Sequence, residues 1–173
     1  LGSRRMNRHP YSVSIDIDDH TGLLWLLTSN LSASSGQGLW LEARDNTGAV
    51  VVAPIAIDSS TIALSKRLRS RVLVAAGRAY VTVGSRVAIY DIASKKELGR
   101  YRFSDSHYGT SNFPLGIAAL RDESKAYVAS ERDDAVYVLD THDPSKPALK
   151  TKLDTGAHPV AVLLSQDQKR LFV

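Results

Sequence analysis

Pro114-Leu-Gly-Ile-Ala-Ala-Leu120, Arg121-Asp-Glu-Ser124 and Lys125-Ala-Tyr-Val-Ala-Ser130 follow one another as an apolar run, a polar turn and a second apolar run carrying an aromatic. The same order returns in Pro159-Val-Ala-Val-Leu-Leu-Ser165, Gln166-Asp-Gln-Lys169 and Arg170-Leu-Phe-Val173, with the two prolines 45 residues apart. A third copy begins at Pro10 and places Trp25 at the aromatic position, after a turn two residues longer. A fourth matches in its middle: Arg78-Ala-Tyr-Val-Thr-Val83 aligns with Lys125 to Ser130, and Val87-Ala-Ile-Tyr-Asp91 with Val136-Tyr-Val-Leu-Asp140. Short runs of Val, Ile, Leu and Tyr separated by Gly, Asp, Ser and Pro read as strands and turns, and no segment shows a helical period with caps. One unit supplies four strands, near 115–120, 125–130, 135–140 and 147–153. A four-stranded unit repeating every 40–50 residues is the signature of a β-propeller blade.

Composition agrees and excludes other classes. The chain has 173 residues, 43% apolar and 23% charged, which is a globular composition. It has no cysteine, so a disulfide framework, a thiolate metal site and a cysteine nucleophile are ruled out. The longest apolar stretch, Ala49 to Ile57, is broken by Pro54 and too short to span a bilayer. With 22 Lys and Arg against 18 Asp and Glu the chain is only mildly basic.

A blade assigns roles to these runs. The first strand, small and apolar as in Gly116 to Leu120 and Val160 to Leu164, lines the central channel between neighbouring sheets. The aromatics Trp25, Tyr80, Tyr127 and Phe172 are expected to wedge between blades, in preference to forming a ligand cage. Asp91 and Asp140 end the third strand and are expected to bond the backbone of the next turn, in preference to acting as a catalytic pair. The charged outer runs Lys96 to Arg102 and Leu149 to Leu153 suit a solvated edge.

The sequence of Pro-led apolar run, Tyr-Val-Ala-Ser, Val-x-Val-x-Asp and Thr155-Gly-Ala-His-Pro159 resembles the YVTN-type repeat of seven-bladed, lactonase-like bacterial and archaeal propellers. The resemblance is best over 112–173, partial over 71–103 and loose over 9–43. Thr155 to Leu164 also resembles propellers that precede a phosphoesterase domain. The resemblance implies an all-β propeller of four-stranded antiparallel blades. Blades are expected at 9–58, 59–112 and 113–157, with the next starting at 158–173. Seven blades of this length take roughly 315 residues, so about three and a half blades of a seven-bladed ring are expected. The remaining blades, or a partner chain, would complete the ring. A closed four-bladed ring is the alternative, and it would need a strand from Leu1 to Arg8, which is a poor strand sequence. The resemblance further implies export to the periplasm or beyond.

Propellers bind at the channel mouth, where the fourth strand leads to the next blade and the second strand leads to the third. The candidate binding residues on those loops are His9, His107, Tyr108, Asn112, Glu131, Arg132 and His158. Three histidines on one face could hold a metal or supply a base. The simpler reading is that His-Pro caps a turn of the repeat. Glu131, Asp133 and Asp134 offer oxygens to calcium, but their spacing matches no loop motif and Arg132 intervenes. No metal site or cofactor is therefore expected. Phosphate-loop, zincin and nucleophile-elbow motifs are missing. The basic run Lys66, Arg67, Arg69, Arg71 and Arg78 lacks interleaved aromatics, so nucleic acid is not the expected partner and a solvated surface is. These features favour a non-enzymatic binding scaffold whose ligand, small molecule or protein, meets the loop face. The alternatives are a lactonase-like hydrolase and the propeller portion of a phosphoesterase.

Overall fold

The computed structural model describes residues 10–30, 38–57, 62–104 and 113–173. Three four-stranded antiparallel sheets follow one another. The first holds β1 (Pro10–Ile17), β2 (Leu24–Asn30), β3 (Gly38–Arg44) and β4 (Val50–Ile57). The second holds β5 (Arg71–Ala75), β6 (Arg78–Val83), β7 (Arg86–Asp91) and β8 (Lys96–Arg102). The third holds β9 (Pro114–Ala119), β10 (Lys125–Ser130), β11 (Ala135–Asp140) and β12 (Ala148–Asp154). A short hairpin of β13 (Leu163–Leu164) and β14 (Leu171–Phe172) comes last. Each sheet is a meander in chain order, and its first strand packs beside the first strand of the next sheet. This is the β-propeller arrangement.

Local chemistry sets the turns. Asp18 accepts the His20 N–H at 3.0 Å and the Thr21 hydroxyl at 2.6 Å between β1 and β2. Asp122 and Asp167 make the equivalent contacts to Ser124 and to Ser165 and Lys169. The expected role of the strand-ending aspartates is met: Asp91 accepts the Ser94 N–H at 2.6 Å and Asp140 the His142 N–H at 3.1 Å. Between β5 and β6 the two-residue turn Ala76-Gly77 has φ of 47° and 83°, the doubly left-handed turn that matches strand twist.

The cores lie between sheets. Trp25, Leu27, Leu39 and Leu41 of the first sheet pack on Val72, Val74, Val81 and Tyr90 of the second. Tyr80, Val87 and Ile89 of the second pack on Ile117, Ala126, Val128 and Leu139 of the third. Each fully buried aliphatic side chain is worth about 1.5–3 kcal/mol, so these clusters hold the sheets face to face. The aromatic wedges grade along the chain: Trp25 is 1% exposed, Tyr80 0%, Tyr127 half-buried and Phe172 54% exposed. Trp25 and Tyr80 are each covered by the sheet that follows. At the two outer faces Tyr11, Ile15, Ile17, Leu163 and Phe172 are exposed.

Polar links join the first strands. The Val72 N–H donates to Ser14 Oγ at 3.3 Å, and the Val74 N–H to Asp16 Oδ2 at 2.6 Å. Thr82, buried in β6, accepts the Arg71 N–H at 2.9 Å and donates to the Leu115 carbonyl at 3.1 Å. The Gly116 N–H reaches the Val160 carbonyl at 3.0 Å. A Cβ at Gly116 would stand 2.5 Å from the Ala161 Cα, so only glycine permits this approach.

Three local features differ from the sequence reading. The β4–β5 connection contains one helical turn, α1 (Leu64–Arg67), too short to leave a period. The outer strand β4 is apolar, and it carries Pro54, as an edge strand can. Of the run Val160 to Leu164, only Leu163–Leu164 pairs as a strand.

Candidate functional site

The connections expected at the channel mouth bring three of the predicted residues together. Ser130 ends β10, and Glu131–Asp133 then forms a 3₁₀ turn closed by Asp134, whose backbone is left-handed. Glu131 and Arg132 therefore lie on that turn, and His158 approaches it from the β12–β13 connection. The His158 N–H donates to Asp134 Oδ1 at 2.8 Å, and His158 Nδ1 lies 3.1 Å from the Glu131 carbonyl. A carbonyl only accepts, so Nδ1 carries the proton and Nε2 is the acceptor of the neutral ring. His9, His107, Tyr108 and Asn112 lie outside the described residues.

Two residues complete the cluster that the sequence reading did not assign to it. Arg69, which follows α1, forms an ion pair with Glu131. Two guanidinium groups lie over the ring of Phe113, just before β9, Arg69 at 4.6 Å and Arg132 at 4.2 Å from the ring centroid, with Lys66 Nζ at 6.0 Å. Such contacts are worth about 0.5–2 kcal/mol each, more as they are dried. They hold two like charges on one ring while Glu131 offsets the repulsion. Asp133 accepts from Ser130 Oγ at 2.5 Å and from the Tyr137 hydroxyl at 3.2 Å. Of the three acidic residues on this turn, Glu131 meets a cation, Asp133 two hydroxyls and Asp134 a backbone N–H. No group of three metal-ligating side chains occurs among the described residues. Arg69 was visible only as part of a basic run, and its partner lies 62 residues away. Phe113 stands directly before the repeat's Pro114, outside the repeat runs.

The carboxyl groups that burial pushes up, Asp16 and Glu123, belong to the other end of the sheets. Asp16 is desolvated near the end of β1, and its pKa is held back by the Val74 N–H and raised further by Asp19 and Asp18. Glu123, in the β9–β10 turn, is likewise raised by burial and pulled down by Arg78, which it meets at 2.8 Å. The mouth cluster thus offers cations, an aromatic face and one exposed imidazole. That set is suited to holding an anionic or π-rich group.

No protein-family model matches the chain, and no curated protein sequence is detectably similar to it. Its solved likenesses are structural. Hydrazine synthase of Kuenenia stuttgartiensis superimposes with a TM-score of 0.67 at 22% identity over 99% of this chain and 44% of that one. The periplasmic gluconolactonase of Pseudomonas aeruginosa gives a TM-score of 0.63 at 12% identity over 93% and 49%. The C-terminal WD40 domain of Sif2 gives 0.57 at 11% over 91% and 41%. The chain spans a little under half the length of these structures, and at such identities the likeness is one of fold. No helix among the described residues is long and apolar enough to cross a membrane. The structure and its likenesses together show a partial β-propeller, with three four-stranded antiparallel sheets and a two-stranded hairpin among the described residues.

Proposed function

We propose that this chain is a non-enzymatic binding scaffold whose working surface is the loop face carrying Glu131, Arg132 and His158. One observation carries the reading: on that face the polar groups are engaged with one another. Glu131 meets Arg69, Asp133 meets Ser130 and Tyr137, and Asp134 meets His158. A built, cross-braced surface of this kind suits recognition. A hydrolytic site needs a base aimed at a reacting atom. The repeat pattern of the sequence supports a YVTN-type propeller with blades at about 9–58, 59–112 and 113–157, completed by further blades or a partner chain. The periplasmic likeness and the repeat type support export.

The second reading is a lactonase-like hydrolase, favoured by the exposed imidazole of His158 and by the likeness to a gluconolactonase. A propeller portion of a phosphoesterase is a third. Hydrolysis of sugar lactones and of phosphoesters by the purified protein, alongside its His158→Gln and Glu131→Gln variants, separates the three. Scaffold function predicts no turnover above the uncatalysed rate. Turnover that both variants abolish establishes the enzyme.

A further inference from the structure

The two junctions between sheets differ at the end away from the mouth. At the second junction Arg78 stands two residues before the wedge Tyr80, and Glu123 meets it at 2.8 Å from the β9–β10 turn. Thr141, after β11, joins them around the Tyr80 hydroxyl. At the first junction the matching places hold Leu23, two residues before Trp25, and Ile92, after β7. The facing turn there is the two-residue Ala76-Gly77, whose largest side chain is a methyl. The place of the ion pair at one junction is therefore open at the other. It forms a cavity of about 550 Å³ walled by Leu23, Trp25, Val52 and Ile92, a size usual for small-ligand sites. At Asp18 and His20 it adjoins a second cavity of about 420 Å³. Asp18 is the one charged residue lining the apolar cavity among the described residues, and it is 8% exposed. Its carboxylate accepts the His20 N–H and the Thr21 hydroxyl, which takes about half of the lone-pair sites a carboxylate offers. Asp16 and Asp19 add negative charge beside it. A carboxylate in an apolar wall favours a cation that meets it. The opposite wall is incomplete as well: Trp25 is 1% exposed, and its Nε1 has no hydrogen-bond partner. Buried N–H groups are seldom left so, and the face of an aromatic ring can accept one.

We infer that this cavity binds a small arylalkyl amine, with its ammonium on Asp18 and its ring against Trp25 between the first two sheets. The lone carboxylate selects the charge of the head group, and the apolar walls select the body. Edge-to-face contact with the indole suits an aromatic body better than an aliphatic one. The site shares no residue with the Glu131–Arg132–His158 cluster, so it stands or falls separately from the scaffold reading.

Trp40→Phe leaves Trp25 as the one tryptophan, so that its fluorescence reads the cavity directly. Titration of this full chain with 2-phenylethylamine at constant ionic strength should give a saturable change in emission, which ammonium chloride does not reproduce. The neutral isostere 2-phenylethanol and the anion 3-phenylpropionate should each bind at least about tenfold more weakly, the scale of one charge-assisted contact. Asp18→Asn keeps an acceptor for the turn and should weaken the amine about tenfold while leaving the alcohol unchanged. Leu23→Arg installs the residue used at the second junction and should abolish binding. Asp122→Asn, the same change in the β9–β10 turn, should alter affinity less than about twofold, as expected for a distant surface charge. Emission that fails to saturate, an alcohol or an anion that binds as tightly as the amine, or a folded Asp18→Asn or Leu23→Arg chain that binds like its parent would overturn the proposal. If thermal melts show that a variant has not folded, the comparison of amine, alcohol and anion on the parent chain decides alone.

Discussion

The backbone N–H of His158 donates to Asp134 Oδ1 at 2.8 Å, and both residues are left-handed, with φ of 56° and 49°. Two non-glycine residues in that region cost about 1–2 kcal/mol each, and their mutual bond is what compensates. Asp134→Ala should therefore destabilise the chain by about 1–2 kcal/mol, losing an acceptor while keeping a strained backbone. Asp134→Asn should fall close to wild type, because asparagine tolerates the conformation and retains an oxygen acceptor. Denaturant midpoints of the three proteins decide the matter; equal midpoints for Ala and Asn would show that the bond contributes nothing.

Thr82 is a second brace, this one between the second and third sheets. Thr82→Val keeps the shape but leaves the Arg71 N–H and the Leu115 carbonyl without their partner. A loss of about 1–3 kcal/mol is expected, the cost of unsatisfied buried polar groups. Thr82→Ser should recover most of it. Thermal melts of the pair give the comparison, and an unchanged valine variant would refute the brace.

Much of this architecture could be read directly from the residues. Strands β9 to β12 fall within a residue of the runs that Pro, Gly and Asp punctuate, because period and turn chemistry are local. The mouth cluster was only half legible. Glu131, Arg132 and His158 belong to loops whose side the blade pattern dictates. Arg69 reaches Glu131 only because α1, a single turn with no period of its own, redirects the chain. Phe113 sits outside every repeat run, so nothing local marked it as the ring that two arginines share.

Ala76 is exposed in the first position of the β5–β6 turn with φ of 47°. Ala76→Asn supplies the residue that this turn prefers before glycine, and it should raise stability by about 0.5–1 kcal/mol. A lower melting temperature for the variant would contradict the turn assignment.

Asp16 titrates with a sign opposite to that of the turn aspartates. Burial raises its pKa above the ordinary 3.8. The folded state thus holds this proton more tightly than the unfolded one, and the resulting stability is full at low pH and lost as pH rises through the raised value. Asp16→Asn cannot lose it and keeps an acceptor for Val74. The variant's melting temperature should gain on wild type as pH rises above the ordinary carboxylate value. Asp45, Asp91, Asp122, Asp143 and Asp167 run the other way: hydrogen bonds, led by those from Thr47, Ser94, Ser124, Ser145 and Ser165 respectively, hold them below 3.8. Their contribution is present above the ordinary carboxylate range and fades as pH falls through their lowered values. Melts across pH 2–7 separate the two signs, and a constant difference between Asp16→Asn and wild type would remove the argument for Asp16.

The graded burial of the four aromatic wedges makes the chain a one-dimensional array, in which order at one junction is reported separately from order at the next. Both tryptophans, Trp25 and Trp40, belong to the first sheet. Intrinsic tryptophan fluorescence therefore sees the first junction and is blind to the second, where Tyr80 is the buried ring. Amide exchange sees both, and it should be slowest in β6 and β7, which have a covering sheet on each side. A single melting curve read by one probe therefore describes one junction and not the molecule.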